Sequence, residues 1–368
     1  MPPAATGGET ALSYWQPYPT RPPSAATMVR PRLTRLTWPA TPKPICAGIA
    51  IFWKTGSILQ PQIRPCLRCK PQNTPKQAVC QLCMPEETTW SEVEVTAVRG
   101  LSVLTRSHSV QPLKLLNPRT HGAGCHVVLS SYGGGFLAGD VVRLRLHVQA
   151  EARLLLSTQA NTRVYRADHE VSAEQYLEAH LAAGSLTAVL PDPLVLQARA
   201  RFRQYQHWHL QPGAVLLLAD WLHSGRMDSG EQFEFSSYAS EIRLTYGGRL
   251  LALDRFGFRP QEHIAASPAH FGPHQTTLSI YLAGEPTDAR FRQLSAVLAA
   301  QQPYTRHELP PALSRQPAVV AFTEARPGLH LLRAVGHGRA ALQPIYDALY
   351  AALAAPELLS FHVGQRKY

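Results

Sequence analysis

The sequence predicts a mainly β protein: many short strands, two helices late in the chain, and a proline-rich basic extension in front. Three observations predict it. Short runs of alternating apolar and polar residues recur from about Ser91 onward, and period two marks a half-buried strand. Gly and Pro turns separate them, among them Ala183-Gly184, Pro191-Asp192-Pro193, Pro212-Gly213 and Gly247-Gly248. Helical spacing of apolar residues is confined to two later segments. Short strands broken by turns argue for mostly antiparallel pairing.

The extension, residues 1–89, differs from the rest. It holds 15 of the 31 prolines and has no long periodic segment, which predicts a mostly disordered stretch. It carries ten Lys/Arg against three Asp/Glu, so most of the formal net charge of +11 lies here. Any nucleic-acid footprint would therefore rest on this segment. Residues 10–85 contain no acidic residue, which also suits an organellar transit peptide. A third reading takes the stretch as upstream sequence, with Met84 as the start. Five of the six cysteines lie here. Cys66 and Cys69, then Cys80 and Cys83, form two Cys-x-x-Cys pairs, an arrangement that can hold Zn²⁺ tetrahedrally. The short decapeptide between the pairs and the proline-rich flanks leave unstructured cysteines as the other reading. The remaining cysteine, Cys125, offers no disulfide framework, which predicts a reducing, cytoplasmic compartment. No run of apolar residues is long enough to span a membrane.

In chain order, strands are expected over Glu92–Val98, part of Gln111–Leu116, Val141–Val148, Arg153–Tyr165, Glu174–Ala182, Ser185–Leu190, Arg201–Leu210, Glu231–Phe235 and Glu241–Leu253. In Arg201–Leu210, Phe202, Trp208 and Leu210 share one face and His207 and His209 the other. A helix is expected over Ala289–Ala300, capped by Thr287 or Asp288, with Phe291, Leu294, Val297 and Leu298 as its stripe. A second is expected over Pro344–Ala354, with Pro344 in the first turn and a stripe of Ile345, Leu349, Ala352 and Leu353.

The segment Gly134-Gly135-Phe136-Leu137-Ala138-Gly139-Asp140 leads straight into the alternating run from Val141. A phosphate loop would need a following Lys and Ser/Thr and a helix N-terminus facing the anion. Here the loop ends in a carboxylate and feeds a strand. Its local chemistry is that of a tight turn needing positive φ, with Asp140 bonding to nearby backbone.

Further motifs follow in order: Leu156–Arg166 with Thr162, Tyr165 and Arg166; Val189-Leu190-Pro191-Asp192-Pro193; Leu218–Arg226 with Asp220; Gly230–Phe235 with Glu231; and Leu251–Phe256 with Asp254. This succession resembles the urease accessory protein UreD family, called UreH in some organisms, over residues 90–355. Residues 356–368 match nothing in it and are set apart as a tail, and Gly133 stands where the family often has proline. The resemblance implies a non-enzymatic scaffold, an irregular β-helix with two helices. It implies binding of apo-urease and UreF, recruitment of the GTPase UreG through UreF, and delivery of nickel to urease. It further implies a nickel path through the scaffold, at Asp140, Thr162, Asp220 and Asp254. Oxygen ligands can pass Ni²⁺ along weakly, where thiolates or clustered imidazoles would trap it. The competing reading pairs Asp220 and Asp254 with Arg226 or Arg255 as structural ion pairs. Arg226 and Glu231 suit a hydrogen-bonded turn clamp. The late helices are expected to meet UreF, partly through Leu349 and Leu353.

Sixteen histidines invite a metal-enzyme reading, but no His-Glu-x-x-His helix and no Gly-x-Ser-x-Gly elbow occurs. The chain is therefore expected not to be an enzyme. The alternative function is zinc-dependent binding of nucleic acid through the extension.

Overall fold

The computed structural model describes residues 89–265, 267, 270–303 and 315–362. All of them fall within one unit, Cys80–Tyr368. The four extension cysteines expected to bind zinc lie outside the described residues.

The chain winds as a solenoid-like coil. It alternates between two sheets, so that successive coils stack strand on strand. Sheet A is crossed by β1 (Ser91–Val98), β2 (Leu101–His108), β5 (Val141–Val148), β8 (Ala173–Leu181), β11 (Arg201–Leu210), β13 (Ser237–Tyr246) and β14 (Arg249–Phe258). Sheet B holds β3 (Leu113–Leu116), β4 (Cys125–Ser131), β6 (Arg153–Thr158), β7 (Thr162–Val164), β9 (Leu186–Leu190), β10 (Leu194–Leu196), β12 (Val215–His223), β15 (Thr276–Ala283), β16 (Ala318–Arg326) and β17 (Leu329–Gly336). Three α-helices lie among the described residues: α1 (Pro260–His263), α2 (Ala289–Ala299) and α3 (Arg339–Leu353).

Because each coil returns in the same direction, the middle of both sheets is parallel: β1-β5-β8-β11-β13 in sheet A and β4-β6-β9-β12 in sheet B. Antiparallel pairs close the ends, β1-β2 and β13-β14 in one sheet, β3-β4 and β12-β15-β17-β16 in the other. The mostly antiparallel expectation is thus corrected. Turn spacing shows where strands end, but not whether the chain reverses beside the previous strand or one coil later.

Three layers result. One core cluster lies between the sheets, built from inward residues such as Leu144, Leu146, Phe202, Trp208, Leu216 and Leu218. A second lies between sheet B and α2/α3, with Leu155, Leu217, Trp221, Ile280, Phe291, Leu294, Tyr346 and Leu349. Sheet A keeps one face in solvent, and β1 and β5 alternate; the middle of sheet B, β9 and β12, is covered on both faces. Strand β9 is consequently buried at all five positions and β12 at all but Asp220, as parallel sheets covered on both sides require.

Strands β5 and β11 match expectation to the residue. Arg153–Tyr165 divides into β6 and β7 around a turn, and Glu241–Leu253 divides at Gly247-Gly248. Glu231–Phe235 forms no strand: Phe233 has φ 54°, and Glu231 turns inward to Arg226. Asp288 caps α2, accepting from Arg290 N at 2.7 Å. Helix α3 begins five residues before expectation, so Pro344 sits inside it. Near the N-terminus this proline removes only one i→i−4 bond. Leu349 and Leu353 are fully buried against sheet B, so they are core residues, not a surface for UreF. Leu358 and Leu359, beyond the boundary drawn at residue 355, are fully buried too, and Arg153 donates to the carbonyls of Pro356 and Leu358 at 2.7 and 2.9 Å.

Candidate functional site: an oxygen-lined interior between the sheets

The parallel register carries a polar row into the interior. Gln175 on β8 stands beside Gln204 on β11, which stands beside Ser240 on β13. Asp220 on β12 faces this row from sheet B, and Gln204 Nε2 lies 3.0 Å from Asp220 Oδ1, 2.8 Å from Tyr238 Oη and 2.9 Å from Ser240 Oγ. On the sheet-A side, Asp254 of β14 accepts from Tyr281 of β15 and pairs with Arg333 of β17.

Two cavities flank Asp220. The first, about 250 Å³, is lined by Gly134, Thr158, Thr162, Asp192, Gln204 and Asp220 among others. The second, about 280 Å³, is lined by Asp220, Tyr238, Ser240, Asp254, Tyr281 and Arg333 among others. Each has room for several waters, at roughly 30 Å³ apiece. Asp220 alone lines both. Burial pushes its carboxyl up to about 6; the Gln204 hydrogen bond pulls the other way and the Asp254 charge adds to the rise.

Of the four residues expected on a nickel path, Thr162 and Asp220 therefore share one cavity, and Asp220 and Asp254 the other. Asp140 lines neither. Its Oδ2 accepts from Leu137 N at 2.7 Å, closing the glycine turn in which Gly133, Gly134 and Gly139 all have positive φ. Gly135 lies in extended backbone, but a Cβ there would sit 2.6 Å from Arg163 O and 2.8 Å from the Tyr165 ring. Tyr165 backs the turn and donates to Gly133 O at 2.8 Å. Arg166 is exposed and pairs with Asp168 at 3.1 Å.

The Pro191-Asp192-Pro193 motif is pinned from both sides. Asp192 N donates to Thr158 Oγ1 at 2.7 Å, its carboxylate meets Arg339 of α3 at 3.2 Å, and Tyr346 donates to Pro191 O at 2.9 Å. Arg226 and Glu231 do form a clamp: their side chains pair, Arg226 N donates to Glu231 Oε2 at 3.1 Å, and Glu231 N donates to Arg226 O at 3.2 Å. The Arg226 hydrogen bond holds the Glu231 carboxyl below its ordinary range. Arg226 is thus committed to Glu231, and Arg255 pairs with Glu241 at 2.7 Å. The guanidinium that meets Asp254 is that of Arg333, so the expected ion pairing is corrected in its partner.

Sequence reasoning missed Gln204, Tyr238, Ser240, Tyr281 and Arg333. Gln204 carried a signal, being a polar residue on the apolar face of β11. His223 is buried and stacks on Trp221; burial first, and the nearby Arg339 charge second, push its imidazole down to about 4.

The fold and this interior define a strand scaffold whose oxygen-bearing groups converge inside the coil. Residues 90–366 match the family model described as UreD urease accessory protein. The chain is 32% identical over 283 residues to "Urease accessory protein UreD" of Cytophaga hutchinsonii, covering 76% of this chain and 98% of that relative. It is 36% identical to the protein so named in Sorangium cellulosum, covering 67% of this chain and 74% of the other. It is 38% identical to "Urease accessory protein D" of Oryza sativa subsp. japonica, over 40% and 49% of the two chains. The chain belongs to the UreD urease accessory protein family. Among the described residues, no helix is long and apolar enough to cross a membrane.

Proposed function

We propose that this protein is a urease maturation scaffold that binds apo-urease and UreF, is linked to UreG through UreF, and lets nickel pass through the coil toward the urease active site. The observation that carries the proposal is Asp220, the carboxylate shared by two cavities. Each cavity also offers hard oxygen donors that would hold a cation weakly: Thr162 and Asp192 on one side, Ser240 and Asp254 on the other. Asp220 binds a cation best when ionised, and its raised pKa lets a proton and a cation compete for it near neutral pH.

This chain's residues supply the passage and its shape. Gln204 orients the Asp220 carboxylate, Arg333 and Tyr281 orient Asp254, and the glycine turn forms part of the first cavity's wall.

The test co-expresses the full chain with UreF and urease subunits. Co-purification is expected for the native chain and for Asp220→Ala alike, whereas urease recovered with Asp220→Ala carries less nickel by metal analysis. Failure of the folded native chain to co-purify with either partner would overturn the scaffold assignment. Full nickel loading with Asp220→Ala would overturn the path.

A further inference from the structure

The solvated face of sheet A carries in-register rows, because β5, β8, β11 and β13 run parallel without slippage. One row reads His147, His180, His209, Thr245 across the four strands. The three imidazoles stack at centroid separations of 5.3 and 4.8 Å, tilted by 9° and 12°. Glu178 lies two residues before His180 on the same face of β8, with its Oε1 3.3 Å from His180 Nε2. Candidate ligand atoms of Glu178, His180 and His209 lie within 4.8 Å of one another.

We propose that Glu178, His180 and His209 form a surface site for a late divalent transition-metal ion, separate from the interior cavities. Two imidazoles and one carboxylate from adjacent strands are a donor set that suits Zn²⁺ or Ni²⁺. The outer neighbours are arranged as such a site needs. Thr245 Oγ1 donates to Trp208 O at 3.2 Å, so toward His209 Nδ1, at 3.1 Å, it accepts. His209 is thereby held with Nδ1 protonated and the Nε2 lone pair free, the orientation that a bonded second ring nitrogen gives a metal ligand. Arg145 donates to Glu178 Oε2 at 3.3 Å, so Oε1, which faces His180 Nε2, is the oxygen turned toward the ion. His180 is 45% exposed and can swing to close the spacing toward metal-ligand distances. The inference does not rest on a role in urease maturation.

The test is equilibrium dialysis of the chelator-stripped full chain against Ni²⁺ and, separately, Zn²⁺, followed by metal analysis. Any binding by the extension cysteines is common to all variants and cancels in the comparison. The native chain should hold one equivalent more of the ion than the H180A/H209A double variant. E178Q and T245V should each weaken that equivalent by about tenfold or more, and H207A, beside Glu178 on β11 but outside the cluster, should leave it intact. All these positions face solvent, and matching thermal melts verify folding. Equal stoichiometry and affinity in the native chain and H180A/H209A would overturn the site. So would an equal loss in H207A, which would mark adventitious binding to surface imidazoles.

Discussion

Asp220 is the residue on which the interior turns. Its carboxyl rises from 3.8 to about 6 on folding, so the folded state binds the proton more tightly than the unfolded chain. The contribution to stability is therefore fully present below the unfolded pKa and is lost as pH rises through about 6. A rise of that size corresponds to about 3 kcal/mol at the upper end. Asp220→Asn keeps the shape and removes the charge, so it should raise the melting temperature above pH 6, with the gain vanishing near pH 4. A gain independent of pH, or none, in paired melts would contradict the buried-carboxylate account. At Gly135 the constraint is space: a Cβ would meet Arg163 O at 2.6 Å. Gly135→Ala should cost about 1–3 kcal/mol in denaturant unfolding, whereas a neutral outcome would mean the turn is free to shift. Thr162, Asp220 and Asp254 are legible in sequence because each stands in a family motif. Arg333 is not, because what makes it part of the site is Asp254, 79 residues away, and Gln204 shows in sequence only as a polar residue on an apolar face.

At the scale of elements, the strands that sequence locates best are those with one wet face. Strands β5 and β11 alternate, and alternation gives their bounds to the residue. Strand β12, Val-Leu-Leu-Leu-Ala-Asp-Trp-Leu-His, has no period because both of its faces are covered, so alternation cannot announce it. Helix α3 shows the converse. Its apolar stripe is plain in sequence, but its purpose is not, since a stripe looks the same whether a sheet or another protein covers it. Leu349 is buried at 0% exposure, and Leu349→Ala should destabilise the isolated protein by about 2–5 kcal/mol through lost burial and a cavity. Unchanged thermal stability, with loss confined to UreF binding, would restore the partner reading. Arg339 and Tyr346 give α3 a second task, anchoring the Pro191-Asp192-Pro193 turn that borders the first cavity.

At the scale of the molecule, the coil explains why interior and exterior chemistry both appear as rows. In-register parallel stacking repeats a position on every coil, so inward polar residues form one row and outward histidines another. Antiparallel strands finish each end, which limits the parallel stack. Both hydrophobic clusters are built from residues between Val93 and Leu359. A chain of residues 84–368 should therefore unfold in one cooperative transition and still co-purify with UreF. A non-cooperative melt would show that the extension contributes to the fold.

Sequence by itself determined the strand-dominated class, the glycine turn with its Asp140 tie, a cap at Thr287 or Asp288, the Arg226–Glu231 clamp and the family. These depend on periodicity, on backbone conformations that few residues tolerate, or on partners close in the chain. The tertiary structure decided the parallel stacking, the core role of Leu349 and Leu353, the convergence of Thr162, Asp220 and Asp254 on cavities that share one carboxylate, and the exclusion of Asp140 from them. These depend on which strand lies beside which, and hydrogen-bonded pairing between segments dozens of residues apart leaves no local pattern.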